Sequence, residues 1–126
     1  MPRSVLIVDD SDLVRRGMRQ FFEQLPDWRI VGEAVSGSKA IEIASELKPD
    51  LILLDFSMPG LNGIETASVL RKKLPHAYIA VFTVYDTSVG SRLSSAAGVD
   101  LVLPKADGLS SLRKTLFGFD RHQGAS

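Results

Sequence analysis

Five apolar runs of strand length alternate along the chain with five stretches in which apolar residues recur every three or four positions. That alternation is the pattern of βαβ units, and it predicts a parallel sheet with helices on both faces. The first strand is expected over Ser4 to Val8. A helix follows from Ser11 or Asp12, either of which can cap exposed N–H groups. It carries Val14, Met18, Phe21, Phe22 and Leu25 on one face, with Pro26 as its end.

Trp28 to Val35 alternates less regularly and is expected to form a strand nearer the sheet edge. Ser36 or Ser38 caps a second helix with Ala40, Ile41, Ala44 and Leu47 inward. Lys48-Pro49-Asp50 then turns the chain into Leu51 to Leu54, apolar at every position and therefore expected in the middle of the sheet. Asn62 caps a third helix, with Ile64, Ala67, Leu70 and Leu74 inward, which stops before Pro75. The fourth strand is expected over Tyr78 to Phe82, ending at Thr83. A fourth helix, about Thr87 to Ala97, contains Gly90 and four serines, weak helix formers that make it the least stable element predicted. The short fifth strand, Asp100 to Leu103, meets Pro104, which lacks a ladder donor and suits a sheet edge. Asp107 caps a fifth helix with Leu109, Leu112 and Leu116 inward and Gly118 as its stop.

At 126 residues and 44% hydrophobic content the chain is long enough for one core, and no second folded module is expected. The expected boundaries are 1–120 for the domain and 121–126 for a polar tail or the start of a linker. Lys+Arg and Asp+Glu balance at 15 each, so no general attraction draws the chain to nucleic acid or an anionic membrane, and direct DNA binding is not expected. The absence of cysteine removes disulfides and thiolate metal sites and suits a reducing cytoplasm. The N-terminal apolar run is too short for a signal-peptide core or a membrane span, so a soluble, cytoplasmic domain is expected.

The candidate chemistry lies at strand ends. Val5 to Val8 runs into Asp9-Asp10, and Leu51 to Leu54 runs into Asp55. Ligands of open parallel sheets sit beyond the carboxyl ends of the strands, where neighbouring connections leave on opposite faces. If strands one and three are neighbours, three carboxylates meet there. Two carboxylates about 4 Å apart repel by roughly 4 kcal/mol at an effective dielectric near 20, so such a cluster must take up protons or a cation. Hard oxygen donors favour Mg²⁺ or Mn²⁺, and Mg²⁺ keeps waters that phosphate oxygens can replace. Thr83 offers a hydroxyl to a phosphate oxygen, and Lys105 offers a cation against developing charge. Taken singly, each has a plainer reading. Asp9-Asp10-Ser11-Asp12 complements a helix dipole, Asp55 caps a turn, Thr83 is a β-branched strand residue and Lys105 is a solvated cation. Four strand ends carrying the right groups together favour a phosphoryl-transfer site.

At these residues the chain resembles the receiver domain of two-component response regulators. The matching pieces are Val8-Asp9-Asp10, Leu54-Asp55 followed by Met58-Pro59-Gly60-Leu61-Asn62-Gly63, then Thr83, then Lys105. The resemblance implies a doubly wound (βα)5, flavodoxin-like three-layer α/β sandwich with a five-stranded parallel sheet in the order 2-1-3-4-5, an order for which a chemotaxis receiver is a standard example. It also implies that Asp55 is the phosphoryl acceptor, attacking phosphohistidine on a sensor histidine kinase or phosphotransfer protein, or a small acyl phosphate. Asp10, Asp55 and the backbone carbonyl of Ser57 would hold Mg²⁺, with Asp9 acting through a metal-bound water. Thr83 and Lys105 would bind the phosphoryl group and pass the signal on. The implied output surface is helix four, strand five and helix five, including Arg92, Leu101 and Val102, which would meet a downstream protein, an output domain outside this chain, or a second copy as a homodimer. The strand-five to helix-five segment resembles receivers that precede a helix-turn-helix output domain.

The chain departs from the family at two places. Many members carry Tyr or Phe where Val102 stands, and many place Pro after the lysine, whereas Pro104 precedes Lys105 and Ala106 follows. The resemblance therefore carries no aromatic switch to this chain. Three other functions compete. Asp10-Ser11-Asp12 after an apolar strand fits the nucleophile motif of a haloacid dehalogenase-type phosphatase, but that reading leaves Asp55 unexplained. A flavodoxin-like FMN carrier needs donors where Asp9-Asp10 would repel its phosphate. An atypical receiver acting as a phosphorylation-independent interaction module is compatible with Val102 but makes no use of the acids and the lysine.

Tyr85, two residues after Thr83, is large enough to cover a phosphoryl group on Asp55 and slow its hydrolysis. Tyr85→Ala is expected to accelerate loss of the phosphoryl label; an unchanged dephosphorylation rate rejects this role.

Overall fold

Period-two burial organises the molecule. The computed structural model describes residues 2–55, 63–83, 98–104, 110, 112–114 and 116. Its elements are β1 (Arg3–Val8), α1 (Asp12–Glu23), β2 (Trp28–Ala34), α2 (Gly37–Leu47), β3 (Leu51–Asp55), α3 (Gly63–Lys73), β4 (Tyr78–Thr83) and β5 (Leu101–Pro104). The five strands are parallel, in the order β2-β1-β3-β4-β5. This is the flavodoxin-like sandwich expected from the alternation.

β3 is buried at all five positions, as a central strand walled by helices must be. Alternate residues feed two separate cores. Leu6 and Val8 of β1, Ile52 and Leu54 of β3 and Ile79 and Val81 of β4 pack with Ala40 and Ala44 of α2 and Ala67 and Leu70 of α3. Val5 and Ile7, Leu51 and Leu53, and Ala80 and Phe82 pack on the other face with Met18 and Phe22 of α1 and with Leu112 and Leu116. Residues 110, 112–114 and 116 are helical, so the inward Leu112 and Leu116 agree with the expected fifth helix.

The irregular alternation of Trp28 to Val35 has a structural cause. Val5 pairs with Ile30 but Leu6 pairs with Gly32, which leaves Val31 as an extra residue. Such a bulge reverses the faces. Trp28 and Ile30 therefore join the α1 core, whereas Ala34 joins the α2 core. A Cβ at Gly32 would lie 3.0 Å from Ile43 Cγ2 and 3.3 Å from Leu6 Cδ1, so a larger residue would require these side chains to give way where α2 approaches β2.

Several expected boundaries shift. α1 ends at Glu23, not at Pro26, because the chain tightens into i to i−3 bonds there, the Gln24 N–H donating to Phe21 O at 3.3 Å and the Leu25 N–H to Phe22 O at 3.0 Å. β2 stops at Ala34, leaving Val35 exposed, and Ser36 rather than Ser38 caps α2 by accepting from the Lys39 N–H. Leu47, expected inward, is 46% exposed; its Cδ1 still reaches to 3.7 Å of where a Cβ on Gly32 would stand, behind the closer Ile43 at 3.0 Å. β3 extends to Asp55, and β5 runs from Leu101 through Pro104 at the sheet edge. The expected caps Asn62 and Asp107, the stop at Gly118 and the whole of the expected fourth helix lie outside the described residues. Among the described residues no helix is long and apolar enough to cross a membrane.

A clamp not foreseen from the pattern fixes the entry to β5. Arg71, in the last turn of α3, donates to the carbonyls of Gly98, Pro75 and Ala77 at 2.8–3.0 Å and pairs with the Asp100 carboxylate at 2.5 Å. Asp100 Oδ2 also accepts the Ile79 N–H at 2.8 Å, which ties the same corner to β4. Burial and, after it, the Asp100 charge raise the pKa of Tyr78 beside this corner. Gly98 has φ +81°, and a Cβ there would stand 2.8 Å from Arg71 Cγ. Gly98→Ala is therefore expected to destabilise the fold by about 1–2 kcal/mol from backbone strain, before counting the displaced Arg71. Urea unfolding measures it, and a change below about 0.5 kcal/mol, the range of an ordinary surface substitution, would contradict the clamp.

Candidate functional site

β1 and β3 are neighbours, with Val8 level with Leu54, so Asp9 follows β1 at the height where Asp55 ends β3. The helices that follow these strands, α1 and α3, pack on opposite faces of the sheet, the arrangement at which doubly wound sheets form a crevice. Asp9, Asp10 and Asp55 each direct a carboxylate oxygen into it, and these oxygens lie within 4.8 Å of one another. Asp9 and Asp55 are 3% and 5% exposed, whereas Asp10 faces solvent. The group is thus a two-acid floor with one acid at the rim.

Local hydrogen bonds hold Asp9. Its N–H donates to Ala34 O at 3.0 Å, continuing the β1–β2 ladder, and its Oδ1 accepts the Ser11 N–H at 2.9 Å. Ser11 in turn caps α1, its Oγ accepting the Val14 N–H at 3.3 Å. Asp12 stands apart from the cluster. Its side chain is 67% exposed and pairs with Arg15 at 3.0 Å and with Arg16 at 3.6 Å. That separation counts against the phosphatase reading, which needs Asp10 and Asp12 as partners in one site.

Arg15 and Glu33 border the site although the periodic pattern does not flag them. Arg15 Nη1 donates to Asp9 O at 2.7 Å, while Nε lies 3.3 Å from Glu33 Oε1. Glu33 also accepts from Arg19 Nη1 at 2.8 Å with both oxygens, and this hydrogen bond raises the Arg19 pKa. The available signal was an acid, Glu33, one residue from the end of a strand beside the acidic loop.

Of the other expected site residues, Thr83 closes β4 opposite Pro104 of β5, which places its backbone at the same sheet edge, but its hydroxyl lies outside the described atoms. Ser57, Tyr85, Arg92 and Lys105 lie outside the described residues. Leu101 and Val102 are half-buried on the edge strand β5.

The donor set suits a small hard cation. Three carboxylate oxygens so close repel pairwise by at least about 1 kcal/mol in water and about 3–4 kcal/mol at an effective dielectric near 20. They offer oxygen only, the chemistry Mg²⁺ and Mn²⁺ prefer.

Residues 5–117 match the family described as the response regulator receiver domain. The nitrate/nitrite response regulator protein NarL of Escherichia coli K12 is 47% identical over 83 residues, covering 66% of this chain and 38% of that protein. The response regulator protein VraR of Staphylococcus saprophyticus is 39% identical over 118 residues, covering 92% of this chain and 56% of its own length. The chain therefore spans only about half, or less, of these relatives. Among solved structures, a LuxR-family two-component response regulator from Aurantimonas sp. SI85-9A1 superposes with a TM-score of 0.87 at 27% identity, covering 94% of this chain and 85% of that one.

Relief of repulsion should be measurable in this cluster. In metal-free buffer Asp10→Asn is expected to raise unfolding stability by about 1 kcal/mol, the exposed-pair limit, and the advantage should vanish when Mg²⁺ is added. Loss of stability in the metal-free melt would contradict a repulsive cluster.

Proposed function

Because the chain belongs to the receiver domains of two-component response regulators, a family of signalling domains, we propose that Asp55 accepts a phosphoryl group in this chain. The observation that carries the reading is the convergence of Asp55 with Asp9 and Asp10 at the carboxyl edge of the sheet. One Asp55 oxygen attacks phosphorus, the new O–P bond replaces the bond to the donor imidazole of a histidine kinase or to a small acyl phosphate, and the donor leaves with the electron pair.

Asp10, Asp55 and the Ser57 carbonyl are the proposed holders of Mg²⁺, with Mn²⁺ as a substitute and Asp9 in contact through water. Bound there, such an ion would offset the charge of the acids and of the phosphoryl oxygens. The chain's own contribution is placement. Burial holds Asp55 at the end of β3, and the Ser11 N–H holds Asp9 in the same cluster. Thr83 and Lys105 are the proposed ligands of the phosphoryl group on Asp55, and Tyr85 its cover.

We place the receiver at residues 1–120. The proposed output is a population shift at the surface built by the segment 87–97, β5 and the helix containing Leu112, with Arg92, Leu101 and Val102 in it. A downstream protein, an output domain of a longer chain or a second copy would read it, in a cytoplasmic setting. The interaction-module reading makes no use of the clustered acids.

Intact mass after incubation with acetyl phosphate tests the proposal. The wild-type chain should gain one phosphoryl group with Mg²⁺ and none without it, and Asp55→Ala should gain none. A wild-type chain that is never labelled overturns the assignment.

A further inference from the structure

We propose that Arg15 is a positioning residue for the acid cluster, a fork of hydrogen bonds that sets the directions of Asp9 and Asp10. The inference rests on the reading of Asp9, Asp10 and Asp55 as a divalent-cation site and goes beyond it.

The Asp9 N–H is still paired with Ala34, but its carbonyl lies at the start of the turn into α1 and needs another partner. Arg15 supplies it, Nη1 to Asp9 O at 2.7 Å, from a side chain only 12% exposed. That carbonyl belongs to the planar peptide unit joining Asp9 to Asp10, so its orientation fixes ψ of Asp9 and φ of Asp10 together. This hydrogen bond therefore acts on the backbone from which two of the three clustered carboxylates project, beside the Ser11 N–H that holds the Asp9 carboxylate itself.

The guanidinium is itself fixed at its other corners. Nη2 donates to Asp12 Oδ1 at 3.0 Å in the first turn of α1, and Nε lies 3.3 Å from Glu33 Oε1 on β2. Glu33 is held in turn by Arg19. The end of β1, the start of α1 and the end of β2 thus meet at one planar group. A lysine reaches the same region as a point charge but cannot hold three acceptors in fixed directions.

Charge and geometry make opposite predictions. Arg15 brings a positive charge close to the Asp9–Asp10 loop, so a purely electrostatic role would make its removal tighten cation binding. A purely structural role would lower melting temperature and leave cation affinity in the folded chain unchanged. A positioning role weakens affinity even when the charge is retained, as loss of supporting hydrogen bonds around metal ligands commonly does by about 10–100-fold.

The test is a Mg²⁺ titration of the 126-residue chain followed by amide chemical shifts, with thermal melts in EDTA alongside. Arg15→Lys and Arg15→Gln are both expected to weaken the Mg²⁺ Kd by about tenfold, the lower end of that range. Glu33→Gln, which loosens the fork without removing the arginine, should weaken it in the same direction and serves where an Arg15 variant fails to fold. Combined with Arg15→Lys it should add less than its separate effect, since both act through one fork. Wild-type affinity in folded Arg15→Lys, or tighter binding in Arg15→Gln, overturns the positioning role alone. Failure of the wild-type chain to bind Mg²⁺ overturns the cation-site reading and this inference with it.

Discussion

Three carboxylate oxygens within 4.8 Å of one another are an arrangement that the isolated loops would not adopt, and the packed sheet is what enforces it. Asp55 cannot retreat, because Leu51 to Leu54 are buried on both faces behind it. Asp9 is equally confined, its backbone paired to β2 and its carboxylate to the Ser11 N–H. Burial of apolar surface along β1 and β3 thus opposes electrostatic repulsion at their ends. The functional edge is a place where folding stability holds a charge arrangement poised for a cation.

The same constraint explains the polar network around the site. A carbonyl at the end of a strand needs a donor, and a cationic donor beside an acidic loop must itself be held in place. Glu33 and Asp12 do this for Arg15. At the sheet's far corner Arg71 plays a comparable part for the entry to β5, gathering three carbonyls and Asp100. In both places one planar guanidinium joins elements that are distant in sequence.

Much of the fold was legible from local pattern. Helix spacing identified Met18 and Phe22 of α1 as inward, and the unbroken run Leu51 to Leu54 identified the central strand. The irregular alternation in β2 was visible but not interpretable, because the bulge at Val31 is defined only by the register against β1. The exposure of Leu47 has a similar origin: helical periodicity selects a face but does not say how far that face is covered at the helix end, where Leu47 touches the Gly32 region yet stays 46% exposed. For the site, the acids were legible as residue types at strand ends. Arg15 and Glu33 were not, since nothing local in α1 or β2 marks them as partners.

By itself the sequence determined the order of elements, the central place of β3 and the acids that end β1 and β3, because period, capping and burial of apolar runs are local properties. Only the tertiary structure decided that Asp9, Asp10 and Asp55 share one crevice, that β2 changes face midway and that Arg15 reaches the Asp9 carbonyl. These depend on register and on contacts between separate elements, and such distances exist only once the sheet has closed around its two cores.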